Sequence, residues 1–207
     1  MIHRGISALP IRDAYRVLSS LVVPRPIAWV LTQGVDGTLN LAPFSSFMGI
    51  FYPPALAINF GRKREGAIKD THRNLRQQRE AVVHIPDRPL LEAMHASADE
   101  IDPKESEVGL LGLPTVPSLR VAPPRLAEAA VALECRFREE HSLGPGSDLV
   151  ILDVLHATVR DDLWDDAADC ADARRWEPVA RLGSLAGQSY ATLGDRLLFG
   201  RPKLERK

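Results

Sequence analysis

This sequence has few cysteines, no long apolar runs and almost no net charge. Only two of its 207 residues are cysteines, Cys135 and Cys170, and they stand far apart with no C-x-x-C pair. We therefore expect no disulfide framework and predict a reducing cytoplasm as the compartment. The longest apolar runs, such as residues 55–60, are far shorter than the roughly 20 residues of a membrane-spanning helix. The first residues also lack the apolar segment of a signal peptide, so no membrane association is expected.

The balance of charge argues against one class of partner. The 26 basic and 27 acidic residues give a net charge of −1, whereas nucleic-acid binding calls for a clearly basic domain or stripe. The near-neutral total conceals two opposed segments. Residues 62–79 carry seven basic side chains against two acidic ones, and residues 161–172 carry six aspartates and no base. The first segment is a candidate anion site, and we interpret the second as a solvated acidic loop.

Several common catalytic and metal-binding patterns are missing from the sequence. The histidines show neither the H-x-x-x-H nor the H-E-x-x-H spacing of zinc sites. The aspartates of residues 161–172 lack the central glycine and terminal glutamate of a calcium-binding EF-hand loop. No G-x-S-x-G is present, and no G-x-G-x-x-G follows a predicted strand. We therefore expect no metal site, and the pattern identifies no catalytic side chain.

The apolar pattern predicts a mainly β chain with a few short helices. Strands are predicted from apolar, β-branched or alternating runs, and helices from apolar positions at helical spacing. The predicted strands are 27–32, 38–44, 55–60, 81–85, 130–139 and 149–159, and the predicted helices are 11–23, 70–79 and 89–98. Six or so strands without strict β-α-β alternation favour a closed or nearly closed antiparallel barrel over a doubly wound sheet.

Length and composition predict a single domain over residues 1–207. With 45% apolar and 26% charged residues the chain can bury a sizeable core, and no repeat or low-complexity linker divides it. Residues 99–124 are rich in proline and glycine with little periodicity, which predicts a long surface excursion. We expect the core to span about residues 15–192 and to be followed by a tail at 193–207.

Basic and small polar residues are concentrated in residues 61–74, between a predicted strand and a predicted helix. The segment concentrates glycine, arginine, lysine and threonine there. A helix start offers unpaired N–H groups and the positive end of the helix dipole, and nearby basic side chains add charge. This combination suits a phosphate group. The alternative is a solvated basic loop in which Asp70 and Thr71 only cap the helix.

A second candidate segment mixes small polar groups with aromatic residues at the end of a predicted strand. It runs from Asn40 to Phe47 with the sequence Asn-Leu-Ala-Pro-Phe-Ser-Ser-Phe. Such a segment suits a flat ring held by backbone N–H and C=O groups. The alternative is a strand end that packs its two phenylalanines into the core.

Five motifs in order resemble those of one known family. They are Pro24 to Val30, Asp36-Gly37, Asn40 to Ser45, Pro53-Pro54, and Lys69-Asp70-Thr71 with Asn74. The strand at 81–86, Glu134, Arg181-Leu182-Gly183 and Tyr190-Ala191 also fit, so the resemblance covers most of residues 15–192. The family is the flavin-reductase-like, FMN-binding split-barrel group, which includes the flavoredoxins and the reductase components of two-component monooxygenases.

This resemblance implies a split antiparallel β-barrel that forms a homodimer with FMN near the subunit interface. Carried over residue by residue, it places the flavin ring and ribityl chain against Asn40, Ala42, Pro43, Phe44, Ser45, Ser46 and Phe47. It assigns the phosphate to Arg62, Lys69 and Thr71, in agreement with the reading from the residues themselves. Thr32, at the end of the first predicted strand, occupies a position that is often polar in the family and is a further candidate for contact with the flavin.

One departure from the family pattern bears on the electron donor. Many members that use NADH or NADPH carry Gly-Asp-His before the second long C-terminal strand, whereas this chain has Gly146-Ser147-Asp148-Leu149. The missing histidine favours the flavoredoxin type and leaves NADH or NADPH open as donors. The expected function is an FMN-dependent oxidoreductase that passes electrons to a partner oxygenase or a small acceptor. A non-enzymatic FMN-binding electron carrier and a flavin-free interaction module are the alternatives.

Overall fold

A computed structural model describes residues 1–172, 175–183, 188–195 and 197. Helices are few and short, as the sequence predicts. They are α1 (Ile11–Leu21), α2 (Asp70–Gln78), α3 (Leu91–Ala96) and α4 (Glu107–Leu110), with single 3-10 turns at Arg88–Leu90 and Asp161–Leu163. No helix among the described residues is long and apolar enough to span a membrane. Most of the predicted tail at 193–207 lies outside the described residues.

Strands outnumber helices and make up most of the regular secondary structure. In chain order they are β1 (Arg25–Pro26), β2 (Ala28–Gln33), β3 (Leu39–Phe44), β4 (Phe47–Phe51), β5 (Pro54–Phe60), β6 (Glu80–His84), β7 (Thr115–Val116), β8 (Arg125–Leu126), β9 (Val131–Ser142), β10 (Asp148–Val159), β11 (Trp164–Asp165), β12 (Cys170–Ala171), β13 (Ala180–Arg181) and β14 (Tyr190–Ala191). The six predicted strands correspond to β2, β3, β5, β6, β9 and β10. The sequence pattern did not predict β4.

Seven of these strands form one antiparallel sheet whose two edges are joined by a short link. The strand order is β3-β2-β6-β9-β10-β5-β4. β3 and β4 therefore lie at opposite edges, yet only Ser45 and Ser46 separate them. A flat sheet would hold its edge strands about 29 Å apart, at about 4.8 Å per strand. The link spans at most about 11 Å, at 3.8 Å per Cα step. The sheet must curl, which confirms the predicted antiparallel barrel and leaves it open between β3 and β4.

Contacts across the opening show how near the two edges come. The rings of Phe44 in β3 and Phe60 in β5 pack edge to face with centroids 4.7 Å apart. The Asn59 amide donates to the Ser46 carbonyl oxygen at 2.9 Å, which continues the β4–β5 pairing into the link. α2 packs against the same interior and contributes Leu75 to it. The buried interior residues are Ala28, Val30, Phe44, Leu56, Ile58, Phe60, Leu75, Ala81, Val83, Cys135, Phe137, Val150 and Leu152.

A second apolar layer covers the outer face of β2 and β3. Because side chains alternate along a strand, Ala28 and Val30 face the interior while Trp29 and Leu31 face outward. The outer residues pack against Met94 of α3 and other buried side chains of the flanking segments. The Trp29 indole N–H donates to the Ser97 hydroxyl at 2.8 Å. β2 is thus buried on both faces, which explains its almost uninterrupted apolar sequence.

The segment at 99–124, predicted as a surface excursion, is tied to the barrel by buried polar groups. Glu134 on β9 is fully buried, and its carboxylate accepts the backbone N–H groups of Leu119 and Arg120. The segment also contains α4 and β7 and contributes the buried side chains of Val108 and Val121 to the apolar clusters.

The chain just beyond this segment is held by a buried histidine. The Nδ1 of His84 lies 3.1 Å from the Trp29 carbonyl oxygen, and its Nε2 accepts the Leu126 N–H at 3.0 Å. This second bond requires an unprotonated Nε2, so the ring is neutral. Burial lowers the pKa of His84 to about 4.

Candidate functional site

Two segments that the sequence analysis identified separately line one cleft. The cleft has a cavity volume of about 70 Å³, below the roughly 300–1,000 Å³ typical of small-molecule sites, so a larger ligand would extend beyond it. It lies between the outer end of β3, the start of α2 and the chain that follows α3. Its lining residues are Asn40, Ala42, Pro43, Phe44, Lys63, Lys69, Asp70, Thr71, Glu107 and residues 97–101.

A hydrogen bond joins the two segments directly. The Asn40 side-chain amide on β3 donates to the Thr71 hydroxyl on α2 at 2.8 Å. Thr71 is only 1% exposed, so its hydroxyl is held in the wall of the cleft and not in bulk solvent. Asn40 and Thr71 therefore have fixed relative positions, which is what a bound molecule that spans both segments requires.

The start of α2 is available to an anion. Lys69 is the N-cap residue in an extended conformation, and no side chain caps the helix. The first backbone N–H groups of a helix have no partner within the helix, and they carry the positive end of its dipole. The loop before it is a tight turn in which the Lys63 amide donates to the Ala67 carbonyl at 2.8 Å and Gly66 has a φ of 84°. That positive φ favours glycine and returns the chain to the helix start.

The basic side chains of the loop differ in how far they are neutralised. Lys63 and Arg73 each lie 2.5 Å from the Asp70 carboxylate. Burial opposes ionisation of this carboxyl, but the two cationic neighbours outweigh it, so the pKa of Asp70 is lowered. Lys69, in contrast, makes no ion pair among the described residues. Its ammonium group is therefore a positive charge without a carboxylate partner at the start of α2.

Glu107 is a cleft residue that the sequence analysis missed. It is 7% exposed, and its carboxylate accepts the Leu41 N–H at 2.9 Å. Burial raises the pKa of Glu107. The bond satisfies an outward-facing amide on the edge strand β3, which no other strand pairs on that side. No signal marked this residue, because it lies in the proline- and glycine-rich stretch without periodicity.

The edge of β3 is shaped by its proline. N–H groups of alternate residues point the same way from a strand, so Pro43 shares the free edge with Leu41 and offers no N–H there. Proline at a strand edge prevents pairing with a further strand. The edge therefore presents carbonyl groups to the opening and remains accessible next to the Ser45-Ser46 link.

The remaining residues of the second segment lie along the opening of the barrel. Phe44 is buried in the interior, and Phe47 packs partly buried against the same cluster. The Ser45 hydroxyl accepts the Nε–H of Arg25 at 3.5 Å, while Ser46 is exposed. Ser45, Ser46 and Phe47 do not line the cleft, but they continue the chain from Phe44 at its edge.

Thr32 lies below the cleft and does not line it. It is fully buried on β2, and its hydroxyl accepts the Asn74 side-chain amide at 3.2 Å. Asn74 is itself on α2, so this bond fixes the helix against the barrel. The structure thus places Thr32 behind the helix that carries Thr71.

Arg62 also lies outside the cleft. Its guanidinium pairs with the carboxylate of Asp148, the first residue of β10, at 2.7 Å. Arg62 and Ile68 form an isolated bridge across the loop. The pair therefore attaches the loop that precedes α2 to the β9–β10 hairpin.

Asp148 also belongs to a group of three side chains, with His72 and Glu140, that lie close enough together to hold a cation. His72 is fully buried and stacks on Phe60, and its ring nitrogens lie 3.1 Å from a Glu140 oxygen and 3.9 Å from an Asp148 oxygen. The Arg76 guanidinium binds Glu140, and mainly for this reason the pKa of Glu140 is lowered to about 2. Arg62 and Arg76 thus already neutralise the two carboxylates. We interpret the cluster as the buried attachment of α2 to the hairpin, with no metal required.

Comparison with known proteins connects this arrangement to flavin chemistry. A family model described as "Flavin reductase like domain" matches residues 19–175. A curated protein of Halalkalibacterium halodurans, described as uncharacterized, is 39% identical over 199 residues, which cover 93% of each chain. The solved structure of nitrilotriacetate monooxygenase component B from Bacillus cereus is 32% identical with a TM-score of 0.89, over 96% of this chain and 98% of that one.

A further structural match supports the architecture alone. It is the structure of a flavin reductase with a split barrel domain from Shewanella frigidimarina. The two chains are 21% identical with a TM-score of 0.78, over 97% of this chain and 100% of that one. The curled sheet with an opening between β3 and β4 is therefore a split barrel.

Proposed function

Because this chain belongs to the flavin reductase-like domain family, we propose that it binds FMN in the cleft and passes electrons through it to a partner protein or small acceptor. Family membership identifies a flavin oxidoreductase. The observation that carries the choice of FMN is the Asn40–Thr71 hydrogen bond. It holds a strand edge suited to a flat ring beside a helix start suited to a single phosphate.

The phosphate is assigned to Lys69, Thr71 and the first N–H groups of α2. Hydrogen bonds between charged groups are the stronger kind, and Lys69 is free of other ion pairs among the described residues. Lys63 and Arg73 are engaged by Asp70, so they serve to neutralise that carboxylate. Without them, the negative charge of Asp70 at the helix start would repel a phosphate.

The flavin ring is assigned to the chain from Asn40 to Phe47. The carbonyl groups at the free edge of β3 and the backbone N–H groups near Ser45 and Ser46 would bind polar atoms of the ring. When bound, FMN supplies the redox chemistry itself. This part of the chain then needs to bind, orient and shield the ring, which agrees with the lack of acid and base side chains in the segment.

Arg62 and Thr32 act in this proposal through their neighbours. Arg62 holds the loop before α2 by its ion pair with Asp148, and Thr32 holds α2 by its bond from Asn74. Both therefore keep Thr71 in position. Loss of either would disturb the phosphate site without removing a direct ligand.

We further propose that the protein is a homodimer with the flavin near the interface. None of the eleven residues of α1 is buried, although the helix carries an apolar face that includes Tyr15 and Leu18. At the tip of the β4–β5 hairpin, Phe51 and Tyr52 are 90% and 96% exposed. Apolar surface on this scale marks an interaction site. A second copy would cover it, and Ser45 and Ser46 lead directly into β4.

A partner oxygenase is proposed as one electron acceptor. The solved structure that matches over 96% of this chain is component B of a monooxygenase, and such a component implies another that uses its electrons. The free thiols of Cys135 and Cys170 suit a reducing compartment, and we propose the cytoplasm.

A non-enzymatic FMN carrier is the second candidate, and the start of β10 favours it. Leu149 follows Asp148 where the family pattern for NADH or NADPH use has histidine. His72 lies near Asp148 but is fully buried, so it cannot reach a nicotinamide. Mixing the FMN-loaded protein with NADH or NADPH and an excess of FMN distinguishes the two. Sustained loss of NADH or NADPH absorbance would exclude the carrier. An absorbance that does not change would exclude direct reduction by these donors.

The proposal as a whole is tested by flavin titration of the purified protein. The expected result is saturable quenching of FMN fluorescence, an FMN-dependent rise in melting temperature and a yellow protein after gel filtration. At an FMN concentration of 100 times Kd the stabilisation should be about 2.7 kcal/mol. A protein that neither quenches FMN nor gains thermal stability from it would contradict the proposal.

A further inference from the structure

A single arginine connects α1 to the link between the two barrel edges. The guanidinium of Arg25 donates to the carbonyl oxygens of Ser19 and Val22 at the end of α1. From its other side, Nε–H donates to the Ser45 hydroxyl at 3.5 Å, the long end of the hydrogen-bond range. Arg25 is half-buried. It thus contacts the segment assigned above to the flavin ring.

The surrounding backbone holds this side chain in place. Arg25 stands between Pro24 and Pro26, whose rings fix their own φ angles, and it pairs with Arg181 of β13. A Cβ atom at Gly183 would lie 2.2 Å from the Ser20 Cα. The end of α1 therefore packs closely on the chain that follows β13, and the carbonyls that bind Arg25 cannot easily move away.

The charge of Arg25 is not cancelled by a nearby carboxylate. Its three acceptors are two carbonyl oxygens and a hydroxyl, and among the described residues it forms no ion pair. Other partly buried arginines of this chain, such as Arg62 and Arg138, pair with Asp148 and Asp153. A half-buried cation is only partly screened by water, so its field acts on groups a few ångströms away.

We infer that Arg25 is a positioning residue that favours reduced over oxidised FMN. It orients the Ser45 hydroxyl, and with the ring held by the Asn40 to Phe47 segment its charge would stabilise the negative charge that the pyrimidine end of the ring gains on reduction. This inference rests on the proposed binding of FMN. It predicts that removal of the charge weakens the binding of reduced FMN more than that of oxidised FMN.

The test is the midpoint potential of the bound FMN, measured by dithionite titration against an indicator dye. In R25Q we expect reduced FMN to lose about tenfold in affinity relative to oxidised FMN, which lowers the two-electron potential by about 30 mV. R25K keeps the charge and should retain most of the wild-type potential. R120Q removes an equal charge from an exposed position in the 99–124 segment, away from α1 and the cleft, and should leave the potential unchanged.

Separate outcomes identify which step fails. Wild-type protein that binds no FMN would contradict the proposed function. FMN-bound R25Q with an unchanged potential, or equal losses of affinity for both redox states, would overturn the inference alone and leave Arg25 a structural role. If R25Q does not retain FMN, S45A replaces it, since it removes the contact and keeps the charge. A smaller fall in potential in S45A supports the inference, and an unchanged potential overturns it.

Discussion

The side-chain amide of Asn40 and the hydroxyl of Thr71 are 2.8 Å apart and belong to segments with unrelated local structure. Asn40 lies on an edge strand of the barrel, and Thr71 lies in the first turn of α2. One segment was identified by small polar and aromatic residues, the other by basic residues before a helix. Their hydrogen bond turns two separate candidate sites into one.

Replacing Lys69 and Thr71 together with alanine should distinguish the phosphate from the rest of the ligand. Hydrogen bonds to a charged group contribute about 1.5–3 kcal/mol each, so FMN affinity should fall by about a hundredfold or more. Riboflavin, which has the same ring and ribityl chain without the phosphate, should lose only about the tenfold expected from breaking the Asn40–Thr71 hydrogen bond. Fluorescence quenching measures both constants. Equal losses for the two ligands would place the phosphate elsewhere.

Substitution of Asn40 should affect both ligands, because this residue aligns the two segments. We expect Asn40→Ala to weaken FMN and riboflavin by about tenfold each, or about 1.4 kcal/mol. Asn40→Asp keeps the shape but places a carboxylate beside Thr71, so its loss for FMN should exceed that of Asn40→Ala. The same titrations provide the measurement. If Asn40→Asp bound FMN as tightly as Asn40→Ala, no phosphate would lie near Thr71.

Acid should destabilise the fold through His84. Its pKa is about 4 in the folded protein and 6.5 as a model value. The unfolded chain therefore takes up this proton first as the pH falls. The free energy of unfolding should be unaffected by His84 above pH 6.5, decrease between 6.5 and 4, and level off below, with a total loss of about 3 kcal/mol.

The measurement is urea unfolding of the wild type and His84→Gln at a series of pH values. Buried acids with raised pKa values, such as Glu107, contribute with the opposite sign, but they are common to both proteins. The difference in unfolding free energy between the proteins should therefore shrink by about 3 kcal/mol from pH 6.5 to pH 4. A difference that stays constant over this range would mean that His84 is not buried in its neutral form.

The exposed apolar face of α1 should be needed for dimer formation. Leu18→Glu places a charge on that face in each of the two copies, and we expect a loss of at least about 4 kcal/mol, or roughly a thousandfold in the dimer dissociation constant. Sedimentation equilibrium should show a dimer for the wild type and a monomer for the variant at micromolar concentration. Val35→Glu changes an even more exposed apolar residue in the β2–β3 turn and is the control. A dimer of unchanged stability in Leu18→Glu would contradict this interface.

Most of the barrel could be predicted from the sequence, because its strands alternate or are buried on both faces. β4 could not, since Phe47–Phe51 is apolar at four of five positions, contains a glycine and is largely uncovered in the single chain. Its apolar residues follow no interior-facing alternation. The strand is identified by pairing with β5, a contact that local sequence does not encode.

The candidate site, like the barrel, could be predicted only in part from the sequence. The position of Lys69 and Thr71 at a helix start that lines the cleft could be predicted, because a helix start carries its groups in consecutive residues. The ion pair of Arg62 with Asp148 and the bond from Leu41 to Glu107 could not, because each partner comes from a distant part of the chain. The sequence shows these residues, but only the tertiary fold determines which of them already form ion pairs or hydrogen bonds with each other.

Because β3 and β4 are joined by a two-residue link, the candidate site forms late in folding. Its ends belong to the first and last strands of the sheet order, so every intervening pair must form before Ser45 and Ser46 reach their final geometry. Three of those six pairings join strands distant in sequence, which form slowly. The affinity for a ligand bound at this link would therefore depend on whether the whole sheet has closed into the barrel. A destabilising substitution in any strand of the sheet, even one far from the link, would therefore reduce binding of the ligand.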